Sequence, residues 1–256
     1  MSVMDHLREL RRRIVIVLIL VALGAVLGWY LYPHTLEFLK QPYCDVPAKY
    51  RYQVPGKPND CVLIYTQVFG GFLARLKISV ISGIIFTSPL WLYQIWGFIT
   101  PGLRKKERRY TVIFILASSL LFAFGVALSF FLIYRAMATL LRLSGEGTVG
   151  FFTVDSYISF VTMMLLVFGV AFELPLVIVL ANFAGVLPAR VLKRTQRAGI
   201  FLVFLFAAVA TPTADPFTMI GMAIPMVLLY EGAILLAVSH DRRKARRKAA
   251  AEAVSG

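Results

Sequence analysis

The chain has 256 residues, of which 59% are hydrophobic and 16% charged, whereas a soluble domain averages roughly 45–50% apolar and about 25% charged; an ordinary soluble globule is excluded. Twenty-seven Lys and Arg against 13 Asp and Glu give a net charge of +14, which alone would suit nucleic acid or an anionic membrane surface. Nineteen of the basic residues fall in four blocks, at 8–13, 104–109, 190–197 and 242–248, with long uncharged stretches between them. A nucleic-acid binder gathers its charge on one face, interleaved with stacking aromatics, so the blocks argue against that class.

A hydrocarbon core of about 30 Å needs about 20 apolar residues of helix, because unpaired backbone groups are not tolerated in lipid. In chain order, residues 14–32 form a first span ending on Trp29, Tyr30 and Tyr32. Residues 78–99 form a second, with Pro89 as its expected kink. Residues 110–134 form a third, and residues 157–183 a fourth that contains Glu173 and Pro175. Residues 198–210 are a short fifth span, and residues 217–238, with Pro225 and Glu231 inside, are the sixth. The predicted fold is an all-α integral membrane protein with one six-span domain over residues 1–240, followed by a basic tail at 241–256 without regular structure. Arg11 to Arg13 before an apolar run would also suit a cleavable signal peptide, but the length of the run and the lack of an A-x-A site favour a retained anchor.

Six spans put both termini on one side, and all four basic blocks then fall together, on the cytoplasmic face by the positive-inside rule. The enlarged loop at 33–71, the loop at 141–156 and the turn at 211–215 face outward. Cys44 and Cys61, the two cysteines, lie in the first of these, where a disulfide can persist; the alternative is two unpaired thiols. No Walker A sequence, H-E-x-x-H or G-x-S-x-G is present, so no metal, cofactor or catalytic group is expected. Gly145 to Gly150 matches G-x-G-x-x-G, but it follows no strand, as dinucleotide binding requires, and reads as a turn.

The thirteen acids are the informative minority. Glu9 precedes Arg11 to Arg13, and Glu107 is flanked by Lys105, Lys106, Arg108 and Arg109. Each is either paired with its basic neighbours or free to accept a bidentate guanidinium; two such carboxylates on one face would receive two arginines. Glu173 lies within a span, where a carboxylate costs at least about 2.5–3.5 kcal/mol and normally faces a bundle interior or a wet cavity; the alternative to a functional group is a protonated Glu satisfied by a neighbouring Ser or Gln. Glu231 has the same status with weaker surroundings.

The order of these motifs resembles the TatC family, the receptor subunit of the twin-arginine protein translocase. His6-Leu7-Arg8-Glu9-Leu10-Arg11-Arg12-Arg13 is similar to the family's amino-terminal segment. Tyr93 to Ile99 with Pro101-Gly102-Leu103 and Lys106-Glu107-Arg108-Arg109 is similar to its second-span exit and first cytoplasmic loop. Phe168 to Pro175 resembles its fourth-span motif, and Thr211-Pro212, Asp215-Pro216, Ile224-Pro225 and Tyr230-Glu231 resemble the segment around spans 5 and 6. The resemblance implies a bacterial cytoplasmic-membrane receptor with a cupped bundle and short fifth and sixth helices. It would bind Arg-Arg signal peptides of folded cargo and work as an oligomer with single-span partners of the TatA/TatB type, driven by the proton-motive force. It also implies that Glu9, Glu107, Phe98 and Arg11 form the signal-peptide patch, that Glu173 is the polar group meeting a partner helix, and that Thr211 and Asp215 belong to a partner-docking surface. The enlarged loop with its cysteines and the basic tail depart from the plainer family pattern. A proton-coupled small-solute transporter using Glu173 is the competing reading; an enzyme lacks any visible nucleophile and base pair.

Overall fold

The computed structural model describes residues 3–47, 61–99, 108–143, 153–211 and 216–255. They form α1 (Val3–Cys44), α2 (Gly70–Phe86), α3 (Ser88–Ile99), α4 (Arg108–Leu143), α5 (Val154–Ala171), α6 (Leu174–Phe183), α7 (Ala189–Arg194), α8 (Gln196–Ala210) and α9 (Pro216–Ser255). A single parallel bridge between Ile64 and Thr153 is the β-structure seen among the described residues. Within α1, α4, the α5–α6 pair and α9 lie runs long and apolar enough to cross a bilayer; α2 and α3 pass the same test together across a 59° bend. With 15 residues, α8 reaches only about 22 Å at 1.5 Å per residue.

The first span is longer than its apolar run, since α1 continues through Pro33 and Pro42 to Cys44. Proline at 33 has no N–H to offer the carbonyl four residues back, which belongs to Trp29. Arg75 of α2 supplies the missing donor, Nη2 to Trp29 O at 3.2 Å, and its guanidinium lies 4.2 Å from the centre of the Trp29 ring. Likewise α2 begins at Gly70 rather than Ile78, so Arg75 and Lys77, which lay before the expected span, are helical residues. The part of the expected loop at 48–60 lies outside the described residues.

Small residues let α1 and α2 touch backbone to backbone, the device membrane helices use in place of a hydrophobic driving force. Gly24 and Gly28 of α1 face Ser79 and Gly83 of α2, and a Cβ added at Gly83 would lie 2.5 Å from Ala25 N. The bend between α2 and α3 falls at Thr87, whose hydroxyl donates to Gly83 O at 2.7 Å. Pro89, the expected kink, sits instead in the first turn of α3, where its missing N–H costs nothing.

The fourth span is broken at Phe172 and Glu173; α6 restarts with Pro175 in its opening turn. The tail is also corrected: α9 runs without interruption to Ser255. Residues 241–253 contain neither Gly nor Pro and consist largely of Ala, Arg and Lys, the best helix formers, so the helix leaving the bundle has no signal to stop. Inside the bundle, Tyr157, Ile158, Phe168 and Phe172 of the fourth span pack against Ile78, Ile133 and Met222, while Trp91, Trp96, Phe114 and Phe122 make a second cluster with Leu176 and Leu180.

Candidate functional site

The start of α1 and the end of α3 meet at one corner of the molecule. Arg13 donates to Glu9 Oε1 twice, from Nε at 3.0 Å and Nη2 at 2.7 Å, a helical i,i+4 pair. Its remaining nitrogen, Nη1, reaches across to Gln94 O at 3.0 Å. That reach depends on Gly97, because a Cβ there would lie 2.5 Å from Nη1. One turn earlier on α1, His6 stacks on Phe98 with ring centres 4.4 Å apart and planes inclined by 20°. Thus Glu9 and Phe98, 89 positions apart in the sequence, lie at the same corner; Arg11 is exposed on α1, two residues on from Glu9 and so turned away from it. Glu9 spends only Oε1 on Arg13, and Oε2 has no partner among the described residues; the side chain is 26% exposed. Glu107 lies outside the described residues.

Glu173 is 9% exposed and sits at the break between α5 and α6. Trp96 Nε1 donates to Ser118 Oγ at 2.7 Å, and Ser118 Oγ donates to Glu173 Oε2 at 2.7 Å. The chain joins α3, α4 and the fourth span. Buried Oε1 has no partner among the described residues. Glu173 is the N-cap residue of α6, and Pro175 lies in the first turn beyond it. Glu231 of α9 is held differently, both oxygens accepting from Gln196 Nε2 at 2.7 Å.

Thr211, expected on a docking surface, is 5% exposed; its N–H and its hydroxyl both bond to Ala207 O, at 3.1 and 2.9 Å, closing the end of α8. Asp215 lies outside the described residues. Cys44 and Cys61 are joined by a disulfide with a Cα separation of 5.4 Å, which fastens the end of α1 to the chain leading into α2. Nearby, Tyr157 Oη donates to Leu39 O at 2.7 Å, and Lys77 Nζ donates to Asp155 Oδ1 at 2.9 Å and Ser159 Oγ at 2.6 Å, tying α1 and α2 to α5. No group of three or more His, Cys, Asp or Glu stands together among the described residues.

Arg13, Gln94, Trp96 and Ser118 were not singled out by sequence reasoning as site residues. Trp96 reads as an interfacial aromatic and Ser118 as one hydroxyl in an uncharged span; only the helix packing joins them to Glu173.

Helices of this length and apolarity define a polytopic α-helical membrane protein. The family model described as Sec-independent protein translocase protein (TatC) matches residues 5–225. A protein of that description from Frankia casuarinae is 44% identical over 96% of this chain and 68% of its own length, and one from Xylanimonas cellulosilytica is 38% identical over 99% of this chain and 89% of its own. A crystal structure of the twin-arginine translocase receptor TatC in DDM superposes with a TM-score of 0.76 at 34% identity, covering 91% of this chain and 99% of that one. The chain belongs to the TatC family of bacterial inner-membrane protein translocase components, which work together with other Tat proteins.

Proposed function

We propose that the chain is the receptor of its translocase: it captures Arg-Arg signal peptides of folded cargo at the corner formed by Glu9, Arg11, Phe98 and Glu107, on the cytoplasmic side of six spans with both termini inside. Single-span Tat partners, assembled with several receptor copies, then carry the cargo across on the proton-motive force, with Glu173 meeting a partner helix and the 211–215 turn with α8 serving as a docking surface. The observation that carries the reading is the amino-terminal corner. A carboxylate is held there by one internal arginine through one oxygen, beside an exposed aromatic stack, on a surface otherwise strongly basic.

The sign of that surface makes specificity local. An arriving guanidinium can take the open edge of Glu9 with parallel hydrogen bonds, while an ammonium ion presents no planar fork and gains less. Arg13 fixes the carboxylate beforehand, so little side-chain entropy is lost on capture. Losing one charge-assisted bond costs about 1.5–3 kcal/mol, so Glu9→Ala and Glu107→Ala should each weaken signal-peptide binding about 10- to 150-fold. Photo-crosslinking from positions 9, 98 and 107 to a twin-arginine precursor in membranes is the test. Adducts lost with Lys-Lys precursors are expected; equal crosslinking of Arg-Arg and Lys-Lys precursors would refute the assignment.

A further inference from the structure

We propose that the groove between α6, α8 and α9 is a binding site for one anionic phospholipid, taking an acyl chain along α8 and the headgroup phosphate on the basic residues at its α7 end. The groove has a volume of about 670 Å³ and an almost wholly apolar lining that includes Ile178, Leu192, Leu202, Phe206 and Tyr230, within the usual range of roughly 300–1,000 Å³ for small-molecule sites. It follows α8 from Thr195 to Phe206, about 16 Å at helical rise, which is long enough for most of one acyl chain.

Charge complementarity selects the occupant. Arg190, Lys193, Arg194 and Arg197 flank the lining residues Leu192, Thr195 and Ala198 along the chain, all exposed, and none has a carboxylate partner among the described residues. The neighbouring carboxylates are engaged elsewhere: Glu231 accepts from Gln196, while Asp241 accepts from Ala189 N at 2.9 Å and from Asn182 Nδ2 at 3.3 Å. The opposite end, at Phe206 and Met226, is apolar, so the site is polarised as a phospholipid is. The length of α8 adds a second reason. With only 15 residues it cannot span a relaxed bilayer, and a short segment thins the bilayer or draws flanking residues inward. A lipid seated with its phosphate on Arg194 and Arg197 fills the gap left beside the short helix. A zwitterionic lipid would offer the same chain but no net charge.

Native mass spectrometry of the purified full chain in detergent, titrated with phosphatidylglycerol or phosphatidylcholine, tests the site. Wild type should retain one phosphatidylglycerol in preference to phosphatidylcholine by at least about tenfold, given roughly 1 kcal/mol for each basic residue near an anionic surface. K193Q/R194Q/R197Q should abolish that preference, and Ala198→Trp, at an exposed position lining the groove, should lose the bound lipid altogether. R242Q/R243Q/K244Q, which removes the same charge from the tail, should leave it unchanged. Equal retention of the two lipids by wild type, retention by Ala198→Trp, or equal losses in the two triple variants would overturn the proposal.

Discussion

The contact between α1 and α2 makes a quantitative prediction of unusual sign. Replacing a helical glycine by alanine ordinarily stabilises the helix by about 1 kcal/mol, and at Gly232 of α9, where an added Cβ meets nothing within 4 Å, that gain should appear in full. At Gly83 the same Cβ would lie 2.5 Å from Ala25 N, 2.8 Å from Gly24 C and 2.9 Å from Ala25 Cα. All three atoms are backbone, so no side chain can turn away. Ordinary contact begins at 3.4 Å, and 3.4 − 2.5 leaves 0.9 Å by which the two helices must separate. Overpacking of this kind costs typically 1–3 kcal/mol, and separation also loosens the Gly24 and Gly28 contacts, so the cost exceeds the gain. Gly83→Ala should therefore lower the melting temperature in detergent, by up to roughly 8 °C for a net cost of up to about 2 kcal/mol at 2–4 °C per kcal/mol, whereas Gly232→Ala should raise it by a few degrees. The assay is thermal unfolding in detergent followed by intrinsic tryptophan fluorescence. A Gly83→Ala protein as stable as wild type would refute the close-packing argument.

Other outcomes follow from single contacts. Ser118→Ala leaves both Trp96 Nε1 and Glu173 Oε2 without the bridging hydroxyl and should cost about 1–3 kcal/mol, read as a lower melting temperature with a shifted Trp96 emission. Opening the Cys44 to Cys61 loop, by reductant or by a double Ser variant, should cost about 3 kcal/mol in the chain-entropy account, visible as a mobility change on non-reducing gels and earlier thermal unfolding. Asp241→Ala removes the carboxylate that caps Ala189 N of α7 from another helix; amide exchange within Ala189–Arg194 should accelerate by about fivefold, the measure of a lost cap of about 1 kcal/mol.

The long apolar helices were legible in the sequence because they depend on apolar length, which is local. Glu173 stood out for the same reason, as a single carboxylate in an uncharged run. Its partners did not, since Trp96 and Ser118 lie on two other helices and neither breaks a pattern. The ends of elements were least legible. Pro33 looked like the end of a span, but the Trp29 carbonyl it leaves without a donor is served by Arg75, a residue between the expected loop at 33–71 and the expected span at 78–99. Likewise the basic tail looked like a chain without structure, although its Ala, Arg and Lys content favours helix once α9 has nucleated it. Pro89 was the visible candidate for a kink, whereas the bend was set two residues earlier by a threonine hydroxyl competing for a backbone carbonyl.

The bond from Arg75 to Trp29 O also constrains the order of assembly. As α1 enters the membrane ahead of the rest of the chain, the carbonyl opposite Pro33 has no donor within its own helix and must rely on water or headgroups. The protein donor becomes available only when α2 has been threaded alongside, bringing the guanidinium to the same level and setting Gly83 against Gly24. The two helices thus mature as a hairpin, and the backbone of the first segment is completed only once the second lies beside it.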